Sequence, residues 1–245
     1  MADVLSRSTV VGTVLKLPGD QLDRPLYAST DKVLKALGGK WDRRAGGHSF
    51  PFDPLPKLDE ALSSRQIIHR QQKLQLFETP PELAARLCDM IDIGAGDVCL
   101  EPSAGCGRIV TAMADRTPDQ IIAVEVDQDN AAILVDQARH DRLIVGDFLQ
   151  QEPSTMRATV VAMNPPFSRN QDIRHVRHAY ECLRPGGRLG AIVSEHGFFG
   201  QEKECAEWRQ WLADVAAHIE AVPAGAFKAS GTSVPTRIII IRRFA

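Results

Sequence analysis

From residue 79 onward, the chain alternates short apolar runs with segments whose apolar residues recur at helical spacing. Apolar runs rich in β-branched residues predict buried strands. The predicted strands are residues 98–100, 121–124, 143–145, 159–163, 189–193, 221–223 and 237–241. Because strands that alternate with helices through short loops form parallel sheets covered on both faces, we expect an α/β fold with a mostly parallel sheet.

The segments between these strands carry helix signals. Thr79 is a candidate cap for a helix with Pro80 and Pro81 in its first turn, and a helix at 173–183 should end before Pro185-Gly186-Gly187. The positions predicted to face the core are Leu83, Leu87 and Ile91, then Ala132, Leu134 and Val135, and finally Trp208, Trp211, Leu212 and Val215.

Residues 1–70 lack this alternation and predict a small α+β appendage to a main domain of residues 71–245. Ser29-Thr30-Asp31 is a candidate helix cap, and residues 40–50 predict two short strands around a Gly-Gly turn.

Basic residues cluster in this predicted hairpin. Lys40, Arg43 and Arg44 lie next to Trp41, and such a set suits contact with a nucleic-acid backbone. A solvated hairpin with a core tryptophan is the alternative. The net charge of −2 means that any nucleic-acid surface must be a local patch and not a global excess of positive charge.

Composition narrows the class of protein. The 245 residues, 44% hydrophobic and 24% charged, fit one large globular domain with a small appendage. No apolar run approaches the ~18 residues of a membrane span and no signal peptide is evident, so we expect a cytoplasmic protein without a membrane partner. The five cysteines show no C-x-x-C pairing, which favours small buried residues over metal ligands or disulfides, and no metal site is expected.

Three acidic residues follow three consecutive predicted strands. Glu101, Glu125 and Asp147 should meet at one edge of a parallel sheet, where they would repel a pyrophosphate. They suit a ligand with a positive centre and several hydrogen-bond donors, as S-adenosylmethionine has. Glu125 also lies ~20 residues after a Gly-rich turn, where an acid contacts a ribose in dinucleotide-binding folds. Three solvated loop acids are the alternative.

Glycines in the first strand–helix loop allow a ligand to approach closely. Gly105 and Gly107 permit a tight turn, but Val110 occupies the place of the third glycine, so the dinucleotide fingerprint is broken. Phe148, directly after Asp147, is a candidate to pack on the adenine of the cofactor.

The predicted strand 159–163 stops at Asn164-Pro165-Pro166-Phe167, where two prolines prevent further ladder pairing. The side-chain oxygen of Asn164 and the carbonyl of Pro165 can accept the hydrogens of a planar exocyclic amine, and Phe167 can stack on its ring. Fixed acceptors of this kind suit methylation of that amine. An ordinary strand-ending turn is the alternative.

Residues 75–245 resemble the DNA adenine-N6 methyltransferases, a branch of the Rossmann-like class I S-adenosylmethionine-dependent methyltransferases. Phe77-Glu78-Thr79-Pro80 resembles the F-x-T-P segment, residues 101–107 the cofactor loop, Asn164–Phe167 the [DNS]-P-P-[FYW] tetrapeptide and residues 227–232 the late loop of that family. Their order is that of the gamma-type arrangement. The resemblance implies catalytic residues Asn164, Pro165, Pro166 and Phe167, and cofactor-binding residues Phe77, Thr79, Pro80, Glu101, Pro102, Ser103, Gly105, Gly107, Glu125, Val126, Asp147, Phe148 and Asn164.

The resemblance implies methyl transfer from S-adenosylmethionine to the N6 amine of a flipped adenine in double-stranded DNA. Because the sequence stops shortly after the last predicted strand, we do not expect the separate C-terminal target-recognition domain that is usual in that arrangement. Recognition is therefore expected from the appendage, from the basic loop after Phe167 that includes Arg169 and Arg174, from a second copy or from a separate specificity partner. For the loop, a helix with a polar outer face is the alternative.

Two other functions remain open at this point. The same tetrapeptide occurs in RNA and protein-glutamine methyltransferases, and a catalytically silent nucleic-acid-binding subunit would keep the same fold.

Overall fold

The computed structural model of the chain describes residues 2–18, 22–64, 78–223, 227 and 234–244. It divides into two compact units, Met1–Leu76 and Phe77–Ala245. Phe77 and most of the predicted late loop, residues 228–232, lie outside the described residues. None of the described helices combines the length with the apolar composition that crossing a membrane demands.

The first unit is a four-stranded antiparallel sheet packed with helices. Its elements are α1 (Ala2–Ser6), β1 (Thr9–Val11), β2 (Val14–Lys16), α2 (Arg24–Ala36), β3 (Lys40–Asp42), β4 (Gly47–Ser49) and α3 (Leu55–Ser64). The strand order is β1-β2-β4-β3. Leu15, Leu34 and Phe50 are among the buried side chains of a small core that the sheet shares with α2.

Helix α2 begins earlier than the sequence predicted. Its cap is Asp23, whose carboxylate accepts a hydrogen bond from the Leu26 amide at 2.7 Å. Ser29 and Thr30 lie inside the helix, and both hydroxyls donate to the Leu26 carbonyl. The predicted cap at Ser29-Thr30-Asp31 is therefore wrong, because these hydroxyls satisfy a carbonyl within the helix and not the amides at its start.

The predicted hairpin forms between β3 and β4, with Trp41 paired opposite His48. His48 is buried and donates to the Asp31 carboxylate at 3.0 Å. The Trp41 ring, by contrast, is 49% exposed and only touches the His48 ring edge. The alternative of a core tryptophan is wrong for this hairpin, since His48 takes the interior position.

The second unit is a seven-stranded sheet between helices. Its elements are α4 (Pro81–Met90), β5 (Val98–Glu101), α5 (Arg108–Ala114), β6 (Gln120–Glu125), α6 (Gln128–Gln137), β7 (Arg142–Val145), β8 (Ala158–Met163), α7 (Gln171–Cys182), β9 (Leu183–Ser194), α8 (His196–Phe199), α9 (Lys203–Asp214), β10 (His218–Ala221) and β11 (Thr236–Arg242), with short 3₁₀ turns at Phe148–Gln150, Pro153–Thr155 and Ser168–Asn170. The strand order is β10-β11-β9-β8-β5-β6-β7.

The sheet is parallel from β7 to β9, and only β11 and its neighbour β10 introduce antiparallel pairs. Successive strand residues alternate between two cores. Val161 and Met163 of β8 belong to the core under α7 and α9, whereas Val160 and Ala162 belong to the core under α4, α5 and α6. The predicted α/β fold with helices on both faces is confirmed.

Two predicted boundaries differ. Pro80, not Thr79, is the residue that precedes α4. Strand β9 starts at Leu183 and passes through the Pro-Gly-Gly segment, which predicted a turn. Arg243 explains this second difference, because its guanidinium donates to the carbonyls of Tyr180, Glu181 and Leu183 and so satisfies the end of α7.

The buried face of α6 is also rotated from the prediction. Asp127 caps this helix by accepting from the Asn130 amide at 3.0 Å, and Ala131 and Leu134 are the buried apolar side chains. Ala132 is exposed, and Val135 is 62% exposed. Adjacent helical residues point about 100° apart, so Leu134 and Val135 cannot share one narrow face.

These two neighbours provide a matched test of the α6 packing. Leu134→Ala should lower the free energy of unfolding by about 2–5 kcal/mol, since Leu134 is fully buried. Val135→Ala should change it by less than about 0.5 kcal/mol. Urea denaturation followed by circular dichroism measures both, and equal losses in the two variants would contradict the described helix phase.

Candidate active site

The carboxyl ends of three adjacent strands bring the candidate site residues to one edge of the sheet. Strand β5 pairs in parallel with β6 on one side and with β8 on the other. Glu101 and Glu125 are the last residues of β5 and β6, and Asn164 follows the last residue of β8. Ligands of open α/β sheets bind at this edge.

Glu125 organises the loop that follows β5. One oxygen of its carboxylate accepts from the Gly105 amide at 2.6 Å, and the other accepts from the Asp127 amide at 2.8 Å. The loop is further fixed to β6 because the Ala104 amide donates to the Val124 carbonyl at 3.0 Å. Burial raises the pKa of Glu125, and the two amide donors partly oppose that rise.

The two glycines of the loop have different roles. Gly105 has φ +54° and open space where a Cβ would be, so it leaves room for a ligand to approach the backbone. Gly107 has φ +85° and precedes α5, and a Cβ there would contact Gln137 and Leu134 of α6. Gly107 thus allows α5 and α6 to pack closely.

Glu101 is the most deeply buried acid of the site, at 1% exposure. Its Oε1 accepts from the Ser103 amide at 3.1 Å, whereas its Oε2 is buried with no hydrogen-bond partner among the described residues. Burial raises the pKa of this carboxyl well above 4.5; the Ser103 amide lowers it and the neighbouring Glu125 raises it further.

Asn164 is oriented by Thr79, a residue 85 positions earlier in the chain. Its Nδ2 donates to the buried Thr79 hydroxyl at 3.0 Å. The carboxamide is thereby fixed through its nitrogen, so its oxygen side remains the acceptor side of the group. Pro165 is buried, Pro166 and Phe167 are half-buried, and Phe167 packs against the core that contains α4 and α5.

The remaining predicted cofactor residues lie around the same edge. Pro102 is buried and Ser103 and Pro80 are half-buried, while Val126 and Asp147 are exposed. Asp147 accepts from the Leu149 amide at 3.0 Å. Phe148 is 2% exposed, with its ring against the rings of His175 and His178. Its contact with adenine stays a prediction, and little of its ring is open to a ligand.

His175 of α7 is a site residue that the sequence analysis missed. Its Nδ1 lies 3.2 Å from the Ser103 hydroxyl, so it links α7 to the cofactor loop. Burial lowers the pKa of His175 to about 4, although Asp147 opposes the shift, and the ring is therefore neutral near neutral pH. Helical spacing could have identified His175 as buried, since Asp172, Val176 and Ala179 lie on the same buried face of α7.

The predicted nucleic-acid contacts fall on both units. In the first unit, Lys40, Arg43 and Arg44 are exposed around Trp41. In the second unit, Arg169 and Arg174 are exposed, and the Arg174 guanidinium donates to the Arg169 carbonyl at 2.7 Å.

One family model and one curated relative match the sequence, and both are described as methyltransferases. Residues 84–204 match the family model described as the Methyltransferase small domain. Ribosomal RNA small subunit methyltransferase A from Phenylobacterium zucineum is 28% identical over 110 residues, which cover 44% of this chain and 38% of that protein.

Solved structures with this fold include a chain of a type I R-M system, with 23% identity and a TM-score of 0.59, covering 78% of this chain and 47% of that chain. The EcoKI M protein, described as a type I restriction enzyme protein, has 19% identity and a TM-score of 0.59, covering 99% of this chain and 56% of that chain. The chain therefore spans about half the length, or less, of these relatives.

The fold is that of the class I S-adenosylmethionine-dependent methyltransferases. S-adenosylmethionine is the cofactor that the matched family and these relatives imply. The site fits that cofactor. The buried oxygen of Glu101 that has no partner among the described residues suits a ligand that brings its own hydrogen-bond donors, and the loop has open space at Gly105.

The raised pKa of Glu101 predicts a pH-dependent stability. The folded pKa exceeds the unfolded value near 4.5, so the contribution of Glu101 to stability should fall as pH rises from about 4.5 through the folded pKa. Glu101→Gln keeps an acceptor for the Ser103 amide and removes the charge. Its free energy of unfolding should therefore increasingly exceed that of the wild type across this range and then stay level.

Urea denaturation at a series of pH values measures this difference. Glu207→Gln on the exposed face of α9 is the control, with an expected change below about 0.5 kcal/mol. A Glu101→Gln difference that does not vary with pH would contradict the raised pKa.

Proposed function

We propose that the protein methylates the N6 amine of adenine in double-stranded DNA after base flipping. The observation that carries this proposal is the position of Asn164. Its carboxamide is held by Thr79 at the end of β8, and the neighbouring strand β5 ends in the buried Glu101 and the cofactor loop. This position would put an acceptor for an amine next to the proposed cofactor site.

The residues proposed to hold the cofactor divide by chemistry. Glu125 would accept from ribose hydroxyls, and Glu101 from cationic or amino donors, because buried carboxylates form strong charge-assisted hydrogen bonds. Val126, Asp147 and Phe148 would border the adenine. Phe77, Thr79 and Pro80 would lie at the methionine end, with Pro102, Ser103, Gly105 and Gly107 forming the loop. When bound, the cofactor supplies an electrophilic methyl group on a sulfonium.

The chain's own task in the reaction is to hold the target amine. The Asn164 side-chain oxygen and the Pro165 carbonyl would each accept one amino hydrogen, which frees the nitrogen lone pair from conjugation with the ring. Phe167 would stack on the base and offset part of the few kcal/mol that flipping costs. Such a transfer needs fixed alignment more than a strong base.

The choice of DNA rests on the compared structures. The chain of the type I R-M complex and the M protein of a type I restriction enzyme are similar to 78% and 99% of this chain, and restriction enzymes act on DNA. A separate specificity subunit or a second copy is accordingly proposed as partner. The second candidate is RNA methylation, favoured by the likeness to a ribosomal RNA methyltransferase.

Asn164→Ala tests the catalytic proposal. We expect methyl transfer to DNA to fall at least about 10²–10³-fold, because one of the fixed acceptors is removed. Cofactor affinity should fall much less than transfer, because Asn164 is only one of the residues proposed to bind the cofactor. A labelled-methyl assay on DNA and RNA, with nucleoside mass spectrometry of the product, measures both substrate and modified base.

Gln210→Ala removes an exposed carboxamide on α9 and is the control for this assay. Retained transfer in Asn164→Ala would defeat the proposed role of Asn164. If the wild type labels RNA and not DNA, the second candidate is correct. If the wild type neither transfers methyl groups nor binds the cofactor, a silent binding subunit is favoured.

The exposed basic residues of the hairpin predict salt-dependent DNA binding. Replacing Arg43 and Arg44 by Gln should weaken binding to all DNA sequences similarly and reduce the salt slope of log K by about 1 for each phosphate that an arginine no longer neutralises. Lys32→Gln on the exposed side of α2 should leave the slope unchanged. Fluorescence anisotropy at several salt concentrations measures the slope. Equal slopes for the wild type and both variants would exclude the hairpin as a DNA contact.

A further inference from the structure

Three side chains with different donor atoms meet beside α8 and α9. The His196 imidazole, the Glu202 carboxylate and the Cys205 thiol each place one candidate ligand atom so that all lie within 4.8 Å of one another. His196 and Glu202 are exposed and Cys205 is buried. The cluster lies outside the proposed cofactor loop and the catalytic tetrapeptide.

Backbone contacts fix the segment that carries these residues. The Gly200 amide donates to the His196 carbonyl at 2.8 Å, and Arg209 of α9 donates to the carbonyls of Gly197 and Gly200 at 3.2 and 3.0 Å. Glu202 precedes the first residue of α9, and Cys205 follows it by three positions, so both side chains lie on the same face of that helix start.

The three donor atoms pack closely against Gly200. A Cβ built there would lie 2.5 Å from Glu202 Oε2, 2.7 Å from Cys205 Sγ and 3.1 Å from His196 Nε2. Any side chain at this position would push the donors apart. The absence of a side chain at Gly200 therefore lets the three donors lie close together, and imidazole nitrogen, carboxylate oxygen and thiolate sulfur are all ligands that Zn²⁺ takes.

We propose that His196, Glu202 and Cys205 bind a zinc-type divalent cation, with a fourth position left to water. Imidazole and thiolate ligands favour Zn²⁺, or Co²⁺ as its substitute, over Mg²⁺ and Ca²⁺, which prefer oxygen ligands alone. On binding, the S–H bond of Cys205 breaks, the sulfur binds the metal and the proton passes to solvent. No metal site was expected from the sequence, because the five cysteines show no C-x-x-C pairing.

The neighbours of the cluster give the site a structural role. Cys205 Sγ lies 3.8 Å from Nδ2 of Asn170, which also donates to Glu204 at 2.9 Å. Asn170 has φ +56° and immediately precedes α7, three positions after Phe167. A metal on Cys205 would therefore brace the residues that follow the tetrapeptide. Arg209 of α9 is engaged with the backbone carbonyls of Gly197 and Gly200.

Zinc binding by the full chain tests this proposal. After chelation and dialysis, titration with ZnCl₂ against a competing indicator should give one bound Zn²⁺ per chain. His196→Gln and Cys205→Ser should each weaken binding by at least about 10-fold, the loss that removal of even a supporting group produces. Glu207→Gln on α9 and the exposed His218→Gln are matched controls that should retain the wild-type affinity.

Cobalt substitution identifies the sulfur ligand directly. The wild type with Co²⁺ should show a thiolate-to-cobalt charge-transfer band, which should be absent in Cys205→Ser. His196→Gln alters an exposed side chain, so it remains informative if Cys205→Ser fails to fold. Wild-type zinc affinity in His196→Gln, or a cobalt spectrum without the thiolate band in the wild type, would overturn the proposal. Neither measurement requires methyl transfer, so the result is independent of the proposed substrate.

Discussion

Parallel pairing of β8, β5 and β6 is the constraint on which the site depends. Parallel strands place their carboxyl ends at one edge, and the register of these three strands brings the tetrapeptide and two buried acids together. Successive residues of a strand point alternately into the two cores, so apolar burial on both faces fixes the register. A shift of one residue would turn buried side chains to the wrong core and also displace Asn164.

Burying acids at this edge has a stability cost that main-chain amides only partly offset. Glu125 has two amide donors and Glu101 has one, so the carboxyl with fewer donors retains an oxygen without a partner among the described residues. Desolvation is the largest cause of the raised pKa at both residues. A buried acid with a raised pKa and an oxygen without a partner among the described residues is typical of functional sites.

The sequence was sufficient for the fold and for the positions at strand ends, because those depend on period-two burial and on local breakers. The three residues Glu101, Glu125 and Asn164 are located by where strands stop. Contacts distant in sequence were not accessible in this way. Thr79 was expected to cap a helix because nothing local indicates its bond to Asn164. His175 was given no role in the site because its partner Ser103 lies in a loop distant in sequence. Val135 was misplaced because apolar spacing alone cannot decide between adjacent faces of a short helix.

The hydrogen bond between Thr79 and Asn164 connects two segments that are 85 positions apart in the sequence. Thr79 lies just before α4, and α4 is held to the sheet by Leu83 and Leu87, which pack in the same core as Val160 and Ala162 of β8. The orientation of the carboxamide is consequently set by how α4 sits on the sheet as well as by the prolines that follow it. Because Thr79 and Pro80 are also proposed to border the cofactor, a change in cofactor occupancy would act on the same hydroxyl that orients Asn164. Cofactor binding and alignment of the amine are therefore expected to be coupled through a single side chain.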